Sequence, residues 1–144
     1  MGNKFRGDDG AAPLVHQQLK AKKPNLYDYY FHHGDPSTLI NLWKDKNVIV
    51  LDAIDAKNLD AGTILEINPY DEKTVTWENQ ASSSHALSLD TALKLSHELN
   101  CEPATVKIYG VVGKIFSIGS TMSPQVARAC ENLFKLLAAN PKEL

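Results

Sequence analysis

Hydrophobic positions along this chain fall into segments of helical period and into short continuous runs, with Gly and Pro as punctuation between them. Ala12 to Lys22 reads as a helix, because Pro13 suits a first helical position and Val15, Gln18, Leu19 and Lys22 alternate apolar and polar at helical spacing. Asp8, Asp9 and Gly10 form the loop that feeds it. Leu26 to Phe31 is aromatic-rich and predicts a strand, and Gly34-Asp35-Pro36 then opens a helix over Ser37 to Lys44 with Leu39, Ile40 and Trp43 on one face. Val48-Ile49-Val50-Leu51 is continuously apolar, which predicts a strand over Val48 to Ile54 covered on both faces, as in a parallel sheet flanked by helices. Thr63 to Ile67 predicts another strand, and Val75 to Trp77 a short edge piece before the polar stretch Glu78 to Ser84. Ser88 to Asn100 predicts a helix burying Leu89, Ala92, Leu93, Ser96 and Leu99, with Pro103 as its stop. Val106 to Val112 is the next strand, and Ser123-Pro124 supplies an N-cap and a first-turn proline for a last helix carrying Val126, Cys130, Leu133 and Leu137.

This alternation predicts an α/β fold, a three-layer sandwich with a mostly parallel central sheet flanked by helices. Chemistry in such a sheet sits beyond the C-terminal ends of the strands. Asp52 and Asp55 fall at that end of the Val48 strand, and Asp8 and Asp9 just before a helix, so the acidic groups can converge on one crevice.

Composition narrows the field. The 144 residues are 43% hydrophobic and 22% charged, which fits one soluble domain spanning residues 1–144, and no repeat or linker divides it. A chain of this length buries roughly 70% of its unfolded surface, so neither a disulfide nor a structural metal is needed for folding alone. Fifteen Lys and Arg against seventeen Asp and Glu, with no long run of one sign, leave no electrostatic footprint for nucleic acid or an acidic membrane. Cys101 and Cys130 belong to no Cys-x-x-Cys or Cys/His cluster, which points to a reducing compartment. The first ten residues are polar where a signal peptide is apolar, no apolar run could span a bilayer, and Arg6 replaces the Ser or Thr of a myristoylation start. The expected location is the cytoplasm.

Asp8-Asp9 lead the candidates, since carboxylates beside a helix N-terminus are stabilised as anions and can serve as metal ligands or base, although a capping turn explains the same residues. Asp52 ends a buried strand, where burial raises a carboxyl pKa unless a cation or hydrogen bond compensates; a structural role there is the alternative. His85 stands at the mouth of the Ser88 helix, where an imidazole can ligate metal or move protons, or merely be solvated. Two carboxylates and one imidazole form a mixed oxygen and nitrogen set suited to nickel, zinc or manganese. Other candidates are weaker. Ser82 to Ser84 lack the nucleophile elbow of a serine hydrolase, and Gly110-Val111-Val112-Gly113 is not a phosphate-binding fingerprint. His32-His33 can line the crevice, His16 and His97 fall within helices, and both cysteines read as packing residues.

Gly2-Asn3-Lys4-Phe5-Arg6-Gly7-Asp8-Asp9-Gly10, the strand Val48 to Ile54 (VIVLDAI) and Ser84-His85-Ala86-Leu87-Ser88-Leu89 occur in that order. Together they resemble the nickel-iron hydrogenase maturation endopeptidases. The resemblance extends to Gly62-Thr63, the Val106 to Val112 strand and Ser123-Pro124, and so covers nearly the whole chain. It implies an aspartic-type cytoplasmic protease, acting as a monomer, that removes a C-terminal extension from the hydrogenase large-subunit precursor once nickel is inserted. It places metal contact and catalysis on Asp9, Asp52 and His85, with nickel carried by the precursor. It also places substrate contact on the loop Gly34, Asp35, Pro36 and Ser37, and a supporting role on Asn3, Asp8 and Gly10. The metal either tethers and checks the substrate or polarises the scissile carbonyl, with Asp9 or Asp52 as base; the sequence leaves both open.

Two departures accompany the resemblance. The family's first strand, ahead of the Gly-Asn segment, is missing from this sequence, which predicts an upstream start with Met1 inside a Gly-Met-Gly-Asn segment. Ala12 stands where the family usually has Gly. Two other readings stay in play: a non-catalytic module of the same fold that binds nickel or the precursor, and an unrelated small α/β hydrolase acting without nickel.

Overall fold

A computed structural model describes residues 1–71, 81–82 and 85–139. A 3-10 turn over Gly7–Gly10 leads into α1 (Ala11–Lys22), followed by α2 (Pro36–Trp43), β1 (Asn47–Ala56), β2 (Ile64–Ile67), β3 (Ala81–Ser82), α3 (Ala86–Glu98), β4 (Thr105–Gly113) and α4 (Pro124–Ala139). Local sequence explains the helix starts. The Asp35 side chain caps α2, accepting from the Thr38 N–H at 3.0 Å, and Pro36 fits the first turn, where no N–H is needed. The predicted piece Val75–Trp77 and the serines Ser83–Ser84 lie outside the described residues.

The strands form one sheet in the order β2-β4-β1-β3. β1 and β4 run parallel from Asn47↔Thr105 to Asp55↔Gly113, whereas β2 pairs antiparallel with β4 and β3 antiparallel with β1. Among the described residues the sheet is therefore mixed, with a parallel central pair, where the sequence predicts a mostly parallel one. Chain length is the reason: residues 57–63 between β1 and β2 are too few for a crossover helix, so β2 returns in the opposite sense.

Alternation along the central pair feeds two cores. Val50, Ile54, Val106, Ile108 and Val112 pack against α2 and α3 through Leu39, Ile40, Trp43, Leu89 and Ala92. On the other face Tyr109 and Val111 meet α1 and α4 through Val15, Leu19, Val126, Cys130 and Leu133. Helices thus flank a small sheet on both faces. Burial pushes the Cys130 thiol up to about 11, as befits a packing residue, and the Tyr109 phenol up to about 12. Leu99, assigned to the buried face of α3, is exposed because the helix ends at Glu98. Among the described residues no helix is long and apolar enough to cross a membrane.

Gly110 lies opposite Asp52 on β4, and a Cβ there would collide with Cδ1 of buried Ile54 and stand 2.8 Å from its Cγ1. Gly110→Ala is expected to cost about 1–3 kcal/mol by overpacking, read as a lower denaturant midpoint at unchanged slope.

Leu26–Phe31, predicted as a strand, is in no sheet. Its aromatic residues are held through side chains instead. The Tyr27 hydroxyl donates to Leu137 O at 2.8 Å and the Tyr29 hydroxyl to Lys23 O at 2.7 Å, while the Tyr29 ring meets His16 edge-on. A cavity of about 850 Å³ lies along β1 from Asn47 to Leu51, with this aromatic segment among its walls.

Candidate functional site

Asp52 occupies the sixth position of β1 and shares the face of Val50 and Ile54, toward α2 and α3. It lies within the strand, not at its end: Ala53 to Asp55 continue the ladder with β4, and Asp55 and Ala56 pair with β3. His85 occupies the N-cap position of α3, and its Nδ1 lies 3.1 Å from Asp52 Oδ1. Residues 33 positions apart in sequence thus form a charged pair, with the carboxylate buried and the imidazole partly so. The hydrogen bond to Asp52 holds the His85 imidazole above its ordinary range, against burial, and the Asp9 charge adds to the effect.

Asp9 sits in the Gly7–Gly10 turn and is buried; its Oδ2 accepts the Asn3 N–H at 3.0 Å. It acts on His85 through its field, and both Asp9 and Asp52 act in the same way on the Met1 α-ammonium. Among the described residues no three His, Cys, Asp or Glu side chains converge closely enough to hold a metal ion by themselves. Asp52 and His85 are thus in contact, and Asp9 lies near enough for its charge to act on His85.

Asp8 caps no helix. Its fully buried carboxylate accepts the N–H groups of Lys114 at 2.8 Å, Ile115 at 3.0 Å and Ser123 at 2.7 Å, more than 100 residues along the chain. Burial opposes this charge, but the backbone donors outweigh it and hold the carboxyl below its ordinary range. The turn carrying Asp9 is pinned in this way to the loop between β4 and α4. Asn3 adds a local tie, its Oδ1 accepting the Phe5 N–H at 2.9 Å, and Gly10 is buried.

Gly34 is the member of its loop that reaches the pair. It is buried with φ +93°, and a Cβ on it would stand 3.3 Å from His85 Cδ2. Asp35, Pro36 and Ser37 serve the start of α2, where Ser37 Oγ donates to Asp35 Oδ2 at 2.9 Å. His32 orders the same loop: its Nδ1 accepts the Gly34 N–H at 2.8 Å, and its Nε2 lies 2.6 Å from Thr38 Oγ1. The Gly34–His85 contact has no local signature, since it depends on a positive φ and on an element distant in sequence, whereas the partners of His32 lie only two and six residues away. His33 stacks edge-on with Phe31, and His97 pairs with Glu102 at 3.0 Å on the surface.

A sequence model of the hydrogenase maturation protease family, HycI, matches residues 35–140, a span that includes Asp52 and His85. Among solved structures the chain is similar to the [NiFe] hydrogenase maturation protease HybD from Thermococcus kodakarensis, at 22% identity and a TM-score of 0.81, covering 98% of this chain and 95% of that one. It is also similar to the hydrogenase maturating endopeptidase HybD from E. coli, at 19% identity and a TM-score of 0.82, covering 99% and 88%. The endopeptidase HycI from Escherichia coli aligns at 20% identity and a TM-score of 0.63, covering 98% and 89%. Comparison with curated protein sequences gives no match. At these identities the structural likenesses show a shared fold, and the family match spans well over half of the sequence: the chain belongs to the hydrogenase maturation protease family.

Proposed function

We propose that this protein is the endopeptidase that removes the C-terminal extension of a nickel-iron hydrogenase large-subunit precursor after nickel insertion. The observation that carries this reading is the Asp52–His85 pair, a buried carboxylate against an imidazole at a helix start, with Asp9 close enough for its charge to act on His85. Nickel enters as part of the substrate. Asp9 and Asp52 offer carboxylate oxygens and His85 a ring nitrogen to it, so a precursor carrying the metal is held with its C-terminal segment over the site. Hydrolysis adds water across the scissile amide; a carboxylate of Asp9 or Asp52 takes the proton from the attacking water, and the leaving amine receives one. The Gly34 loop, packed on His85, borders the path of the extension. The Asp8 anchor keeps the Asp9 turn in place.

The experiment compares nickel-loaded and nickel-free precursor, each incubated with the protein, by C-terminal peptide release. Release from the loaded precursor alone supports nickel as the substrate's own checked cargo. Equal release from both removes nickel from recognition, and release from neither makes the protein a binding module of this fold.

Gly34→Ala tests the loop. A side chain at φ +93° is strained, and the new Cβ crowds His85. Processing is expected to fall about tenfold, a modest misplacement effect, with Tm lower by only a few degrees.

A further inference from the structure

Beside the Asp9 turn, two loops that are distant in sequence are tied together by their backbones. The Gly7 N–H donates to Ser120 O at 3.2 Å, the Gly119 N–H to Phe5 O at 2.8 Å and the Asp8 N–H to Ile115 O at 2.7 Å. Side chains add two more ties: Arg6 Nε donates to Phe116 O at 3.1 Å, and the Asp8 carboxylate accepts the N–H groups of Lys114 and Ile115. Gly7 permits the close approach at φ +56°, since a Cβ there would stand 2.5 Å from Ile115 O.

With so many backbone groups satisfied among themselves, these loops present apolar side chains to solvent. Phe5 is 65% exposed, Ile118 84% and Ile115 40%, while Phe116 turns inward toward Gly113. Apolar residues scattered singly on a surface need no explanation, but these three are gathered by hydrogen bonds that span more than 100 residues of sequence. Charge is equally one-sided. Residues 2–7 and 114–125 contain Lys4, Arg6 and Lys114 and no Asp or Glu, on a chain of net charge −2, and the adjoining Asp8 and Asp9 are buried. Lys4 Nζ lies 5.0 Å from the centroid of the Phe5 ring, and Lys114 Nζ donates to Ala56 O. Among the described residues none of these three cations forms an ion pair.

We infer that Phe5, Ile115 and Ile118, with Lys4, Arg6 and Lys114, form a docking face for the hydrogenase large-subunit precursor, and that the precursor meets it with apolar side chains flanked by Asp or Glu. The assignment rests on the proposed function: a precursor whose metal lies against Asp9 also covers the loop whose Asn3 N–H binds that carboxylate, two residues from Phe5. Phe5 and Ile118 supply the apolar anchors, and the unpaired cations attract an acidic partner and fix its orientation. Because the two loops are already bound to each other, little ordering is lost on docking.

The test measures KM and kcat for C-terminal peptide release from the nickel-loaded precursor, and the rate at which each protein associates with that precursor when it is immobilised. Phe5→Ser combined with Ile118→Ser is expected to raise KM about tenfold or more, with kcat within about twofold of the parent. Lys4→Glu is expected to slow association about tenfold at low salt, a difference that vanishes near ~1 M salt. The substituted side chains are exposed, so Tm should stay within a few degrees of the parent. Unchanged KM and association in these variants, with the parent releasing the peptide, overturn the docking face and leave the proposed function standing. Release by none of the proteins, with association still weakened by the substitutions, overturns the endopeptidase and keeps the docking face. A parent that does not associate with the precursor overturns both. Substitutions that leave KM unchanged but convert a dimeric parent to monomer, or abolish its binding to vesicles of equal parts phosphatidylserine and phosphatidylcholine, overturn the precursor as occupant in favour of a second copy or a membrane.

Discussion

Asp52→Asn is expected to lower processing of the nickel-loaded precursor by about 10³-fold while leaving the fold intact. Asn keeps the volume of the side chain, so the α2/α3 core around Val50 and Ile54 does not change. What disappears is the negative charge that holds His85 by its Nδ1 and offers oxygen to the metal. With that carboxylate gone, nothing of equal strength keeps the imidazole above its ordinary range, and burial acts on it unopposed except by the more distant Asp9. His85→Gln is expected to give a loss of similar size. Because the two side chains form one unit, the double variant should be little worse than either single one, whereas independent residues would multiply their effects. Single-turnover cleavage of the precursor by the three variants measures this, with Tm within a few degrees of the parent as the control.

Asp8→Ala is expected to lose about 3–4 kcal/mol of stability. Three backbone N–H groups, from Lys114, Ile115 and Ser123, would lose their acceptor in a site with no access for water. The sign of the pH dependence follows from the same bonds. The folded-state pKa of Asp8 is depressed, so its contribution is fully present above the unfolded carboxyl value, about 3.9, and is lost as pH falls through the folded value. Below about pH 4 the parent should lose stability more steeply than Asp8→Asn, which has no such charge to protonate. Urea unfolding at a series of pH values checks both statements. Equal acid slopes would contradict the anchor.

How much of this could be read from the chain depends on whether the controlling contact is local. The helices were legible because their signals sit within a few residues of each other. Asp35-Pro36 and Ser123-Pro124 mark starts, and Leu39, Ile40 and Trp43 in one helix and Val126, Cys130, Leu133 and Leu137 in another mark the faces that prove buried. Strand partners were harder. The run Val48 to Leu51 announces a covered strand, but nothing in it says that the ladder continues past Ile54 to Ala56, because that depends on Gly113 and on β3. Leu26 to Phe31 has strand-forming residues and no ladder; its aromatic side chains are held by hydroxyl and ring contacts to α1, α4 and Lys23 instead. From its place before a helix, Asp8 reads either as a candidate ligand or base or as a residue of a capping turn. Its actual partners lie more than 100 residues away and are backbone groups, which carry no sequence signal at all. Asp9, Asp52 and His85 stood out as candidates from residue type and position. The 3.1 Å contact between Asp52 and His85 and the approach of Gly34 to His85 needed the fold.

The most direct test of the central claim is the intact mass of the nickel-loaded large-subunit precursor after incubation with this protein, with Asp9→Ala run alongside. Loss of one C-terminal peptide with the parent, and an unchanged mass with Asp9→Ala, is the result expected of an endopeptidase whose site includes Asp9. A precursor mass that never changes would contradict the proteolytic reading.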